Sequence, residues 1–164
     1  MVDPFRWLSP LGISVALFLT IGAIWVLVGA LTVPFHHRGA DAQIVFVSNR
    51  TDTAFFGAPP SQLLGSDPAL SKFRSLMFTV MSGLLLLAGT LFISLAWFGL
   101  RERSEWALVS LSAAGLLVII FWAIALLPYF RAGIRVTFGD GPPFMWIPAL
   151  LILPAIILGW IGLR

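Results

Sequence analysis

Four uncharged stretches fill most of the chain: Trp7 to Phe35, Ser75 to Leu100, Trp106 to Phe130 and Gly141 to Leu163. Each meets or exceeds the ~20 apolar residues that a helix needs to cross the ~30 Å hydrocarbon core of a bilayer. The pattern predicts an all-α membrane protein, an antiparallel bundle of four transmembrane helices with spans at about 10–34, 75–99, 106–128 and 143–163. Connections of about 40, 5 and 10 residues leave room for one domain and a small extracytoplasmic cap, from residues 36–74 and 129–142, but not for a second globular unit.

Helix signals sharpen the boundaries. Ser9-Pro10 and Ser66-Asp67-Pro68 each place a capping side chain before a proline at the first helical position. Pro34 and Pro128 are expected to close the first and third spans, and Pro154, inside the fourth, is expected to kink it near Leu150. In the cap, Ala42 to Val47 and Ile134 to Phe138 carry strand character and would pair as a two-stranded sheet. Pro59 to Gly65 reads as a single helical turn. Arg6 ahead of an apolar run, with Val28-Gly29-Ala30, has the form of a signal peptide, but the run exceeds the usual ~7–15-residue apolar region, so the first span is expected to be retained.

Only 10% of the residues are charged, against roughly a quarter in soluble domains. The net charge of +3 comes from basic residues scattered over both sides of the bundle, which disfavours nucleic-acid binding. Arg6, Arg101, Arg103 and Arg164 sit in short segments on the side of the termini, while the other six basic residues spread over longer connections. The positive-inside rule then puts both termini in the cytoplasm, in a bacterial inner membrane or a plasma membrane, with Lys72 and Arg74 pulling the other way.

The absence of cysteine removes disulfides and thiol chemistry. No ionisable residue lies inside a span, which argues against a proton or ion pathway through this chain. His36 and His37, with Arg38 and Asp41, are the weak metal candidates; adjacent helical side chains diverge by about 100°, so the pair reads as solvated and interfacial. The same histidines and nearby acids are the sole basis for a third-ranked reading, an interfacial lipid-modifying enzyme. No catalytic residue and no cofactor is assigned.

Small and hydroxylated residues form stripes that predict helix packing: Gly12, Ala16, Thr20 and Ala23 in the first span, Ser75, Thr79, Gly83, Thr90 and Ser94 in the second, Ser110 and Ala114 in the third. Trp7, Trp97, Trp106, Trp160 and Trp146 suit an interfacial belt. Trp25 and Trp122 lie deeper and could line a pocket for a lipid, a quinone or a pigment.

Ser66-Asp67-Pro68-Ala69-Leu70, Gly83 and Gly89 in a leucine-rich span, the Trp97-Phe98-Gly99-Leu100-Arg101 turn running to Trp106-Ala107, and a closing proline-containing helix resemble small four-span bacterial membrane proteins of unknown function. The resemblance covers about residues 66 to 164 and implies no catalytic residue. The layout is also similar to claudin-type four-helix proteins by architecture alone, without their tryptophan and paired-cysteine motif. The function these features predict is an accessory or structural subunit that packs against larger membrane partners or itself; the alternative is a carrier for a lipophilic molecule.

Overall fold

The computed structural model describes residues 5–35 and 47–164. Four of its helices are long and apolar enough to cross a membrane: α1 (Pro10–Phe35), α4 (Pro68–Ser94, extended by helical turns to Glu102), α5 (Glu105–Arg131) and α6 (Pro143–Leu163). Two short helices, α2 (Asn49–Phe56) and α3 (Pro60–Ser66), lie between α1 and α4. Leu76, Val80, Leu84, Leu87 and Leu91 line α4 as an exposed apolar stripe. Water does not tolerate so continuous an apolar surface, and hydrocarbon does. The chain is a multi-pass membrane protein.

The caps follow the sequence signals. Ser9 Oγ accepts the Gly12 N–H at 3.1 Å and starts α1. Asp67 Oδ1 accepts the Ala69 N–H at 2.8 Å and starts α4 at Pro68.

α1 is the central helix, packed between α4 and α6, with α5 against α6. Its contact with α4 is set by small residues two turns apart on both sides. A Cβ built on Gly22 would lie 2.8 Å from the Gly89 carbonyl oxygen, one on Gly89 2.6 Å from the Gly22 carbonyl, and one on Gly29 2.8 Å from the Ser82 carbonyl. Backbone thus meets backbone, the close approach that small residues permit in lipid. Against α6, Ser14 is fully buried and its hydroxyl donates to the Ala155 carbonyl at 2.6 Å, beside Gly159. Gly162 closes on Leu11, so both termini share one end of the bundle with the α4–α5 turn.

That turn is a π-helical stretch, Leu95–Gly99, followed by a 3₁₀ turn, Leu100–Glu102. It buries Ala96 and Leu100 while Trp97 and Phe98 face out. Gly99 is required there, since a Cβ would sit 2.6 Å from that of Ala107. Arg101 lies over the Trp97 ring at 4.7 Å and the Phe5 ring at 5.5 Å, and Trp7 stands 6.2 Å from Trp97.

Two expectations are corrected. The described residues contain no strand, so the two-stranded cap is not formed from Ile134 to Phe138; residues Ala42 to Phe46 lie outside the described part. Asp140 explains the difference: its Oδ2 accepts the Thr137 N–H at 2.8 Å and the Thr137 hydroxyl at 2.7 Å, satisfying locally a donor that a strand would offer to a neighbour. The strand character that the claudin-like layout asks of the first connection falls on residues outside the described part. The third span does not stop at Pro128 but continues to Arg131, because proline's carbonyl still accepts, here from Ala132 N–H at 3.0 Å. In the first connection, residues 49–56 form a helix, opened by Ser48 and closed by Gly57 at φ 76°.

Candidate functional site

α4 and α5 are held together at the terminal end by the π turn and touch little beyond it. They leave a groove of about 440 Å³ at membrane depth, lined by Met81, Leu85 and Ala88 of α4 and Val118, Phe121 and Trp122 of α5, among others that are equally apolar. A volume of this size falls within the ~300–1,000 Å³ of small-molecule sites.

Beyond the end of the groove away from the π turn lie the short helices. α2 docks on the end of α5: Asp52 is fully buried and accepts the Tyr129 hydroxyl at 2.8 Å, and the Phe55 and Tyr129 rings stand 4.4 Å apart. α3 packs on the start of α4. The pair therefore bridges from one wall of the groove to the other. Arg74, half-buried on α4, places its guanidinium over the Phe78 ring at 4.5 Å, and the Asp52 carboxylate attracts it across the cap.

A second cluster fixes the cap. Asp140 Oδ1 accepts from the Ser48 hydroxyl at 2.7 Å and from the Thr51 hydroxyl at 3.0 Å, tying α2 to the connection before α6. These bonds, led by Ser48 and followed by Thr137, hold the Asp140 carboxyl well below the usual carboxylate range. A depressed native pKa adds stability that is fully present above the ordinary value of about 4 and is lost as pH falls below it. The protection factors of the α2 amides, taken relative to intrinsic exchange at each pH, should thus be flat from neutral pH to about pH 5 and should fall below about pH 4. Asp140→Asn should remove that acid step; an unchanged step in the variant would assign it elsewhere.

Neither a family model, nor a curated protein, nor a solved structure matches this chain. The groove and its mouth must be read from their own chemistry.

Of the two deep tryptophans, Trp122 lines the groove, whereas Trp25 is 2% exposed and packs on Phe92 at 4.7 Å between ring centres. Within the stripes, Gly12 is buried and Ala16, Ser75, Ser94, Ser110 and Ala114 are half-buried, while Thr20, Ala23, Thr79, Gly83 and Thr90 are exposed. The hydroxyls of Thr20, Thr79 and Thr90 donate to carbonyls four residues back in their own helices. Ser14, Gly22, Gly29, Ser82 and Gly89 make the close contacts instead, and their readable signal was the matching seven-residue spacing of Gly22/Gly29 and Ser82/Gly89. Pro154 lies inside a helix that continues through it and through Pro148. His36 and His37 lie outside the described residues; among the described ones no three His, Cys, Asp or Glu side chains come together as metal ligands.

Proposed function

We propose that the protein binds a lipophilic molecule with a flexible hydrocarbon chain in the groove between α4 and α5. The supporting observation is the groove itself: its walls are apolar along both helices, including Trp122. Walls of this kind recognise a hydrocarbon chain by shape and dispersion. A quinone ring or a pigment asks for several polar partners, and beyond the Trp122 indole these walls carry only Met, Leu, Ala, Val and Phe. In this reading the end carrying both termini faces the cytoplasm, and the α2–α3 cap covers the opposite mouth.

The test is the lipid retained after gentle detergent extraction, read by native mass spectrometry. Wild type should keep one saturable lipid adduct. Ala88→Phe and Ala125→Phe, which place a ring in the groove from either wall, should each lower retention on the order of tenfold, the effect of ~1.4 kcal/mol. Retention equal to wild type in both variants, each folded by circular dichroism, would sink the reading. Retention of a stoichiometric membrane protein in place of lipid would favour the accessory-subunit role instead.

A further inference from the structure

The groove is apolar along its walls, but the helix faces that form it carry polar residues further along. Arg74, Met81 and Ala88 are spaced by sevens along α4, two helical turns each, and so share one face. Val118, Trp122, Ala125 and Tyr129 share the facing side of α5 in the same way. The face that forms the groove therefore continues upward into a guanidinium on one wall and a phenol on the other.

The lengths fit a single leaflet. From Arg74 to Ala88 a helix rises ~21 Å at 1.5 Å per residue. Half of a bilayer, headgroups included, is ~20–22 Å. With Arg74 at the level of the headgroups, Ala88 falls near the midplane. The guanidinium lies over the ring of Phe78, one turn further along α4, so it folds back along its own helix toward the membrane interior.

Resting on the lipophilic-binding reading above, we infer that the occupant is an anionic phospholipid, one acyl chain lying in the α4–α5 groove and its phosphate engaged by Arg74 at the mouth. Charge complementarity carries the headgroup assignment. A guanidinium presents five N–H donors in a planar fork that matches phosphate oxygens, and the fork can serve two acidic partners at once. Asp52 is itself fully buried and bonded to Tyr129, so its carboxylate is not exposed to an incoming headgroup. The acidic partner then serves to position the guanidinium, and the phosphate approaches from the membrane side.

The experiment titrates the full-length protein, delipidated in a neutral detergent, with phosphatidylglycerol and with phosphatidylcholine of identical chains, counting adducts by native mass spectrometry. Wild type should bind phosphatidylglycerol about tenfold more tightly, the scale of one charge-assisted contact. Arg74→Gln should bring the two lipids level while still binding both, and Arg74→Lys should keep part of the preference if the glutamine variant does not fold. Lys72→Gln, an exposed charge two residues away, should leave the preference intact. Equal binding of the two lipids by wild type overturns the headgroup assignment and leaves the groove reading standing. A preference that survives in folded Arg74→Gln, or is lost equally in Lys72→Gln, also overturns it. No saturable binding of either lipid overturns the groove reading and this inference together.

Discussion

Gly89→Leu should destabilise the bundle by about 3 kcal/mol, the upper part of the range for overpacking a close-packed interior. The position leaves no outlet. Even a Cβ there would lie 2.6 Å from the Gly22 carbonyl oxygen and 2.8 Å from the Val26 backbone nitrogen and Cγ2. Two of these three atoms belong to the backbone of α1, so no rotamer change relieves the clash and the helices must separate. Separation would strip the Gly29–Ser82 contact two turns away, because the two close approaches lie on one face of each helix. Gly83→Ala is the matched control: nothing lies within 4 Å of a Cβ at Gly83, and replacing a helical glycine by alanine favours the helix by ~0.5–1 kcal/mol. Unfolding in mixed micelles followed by circular dichroism measures both. Equal stability of Gly89→Leu and wild type would show that α1 and α4 do not meet backbone to backbone.

This pair of glycines also shows why the membrane-spanning helices were legible and their interfaces were not. Length and hydropathy identify a span because the bilayer thickness is fixed. The inward face of a soluble helix is marked by contrast with its polar side, but lipid removes that contrast, and both faces of α1 and α4 are apolar. Small size was the remaining signal, and hydroxylated residues blur it. Thr79 and Thr90 satisfy their hydroxyls on carbonyls of their own helix, which lets them face outward without penalty. Ser14 and Ser82 have the same chemistry and lie in the interior. Only a repeat that recurs at the same spacing on two helices, Gly22/Gly29 against Ser82/Gly89, distinguishes an interface from a scatter of small residues.

The cap was misread for a different reason. Ile134, Val136 and Phe138 alternate as a strand would, and Ile134 and Val136 do turn inward, packing beside Tyr129 and Met145. Alternation reports which side chains are buried, not what the backbone bonds to. Gly133, at φ 74°, reverses the chain after α5, and Asp140 then binds the Thr137 donor that pairing would have used. The groove mouth was harder still to foresee. There Asp52 of α2 bonds Tyr129 of α5, and no spacing along the chain signals that they meet.

Trp25→Ala and Trp122→Ala should separate the core of the bundle from its binding groove. Both tryptophans lie deep in their helices, yet Trp25 is buried in the main apolar cluster against the Phe92 ring, and Trp122 is half-buried on the groove wall, 6.1 Å from the Phe144 ring. Truncating a buried tryptophan in a soluble protein costs ~3–5 kcal/mol, from lost transfer energy and from the cavity left behind. In a bilayer the unfolded helix keeps its side chains in hydrocarbon, so the transfer contribution largely vanishes and the lost packing remains. Trp25→Ala should therefore cost about 2–3 kcal/mol and leave lipid retention per folded molecule unchanged. Trp122→Ala, opening onto existing space, should cost less than ~1.5 kcal/mol while weakening lipid retention several-fold, because one wall of the groove loses its largest contact surface. Unfolding midpoints and adduct counts on the same samples give both quantities. The reverse pattern, with retention lost in Trp25→Ala and stability lost in Trp122→Ala, would move the binding site from the α4–α5 groove to the centre of the bundle.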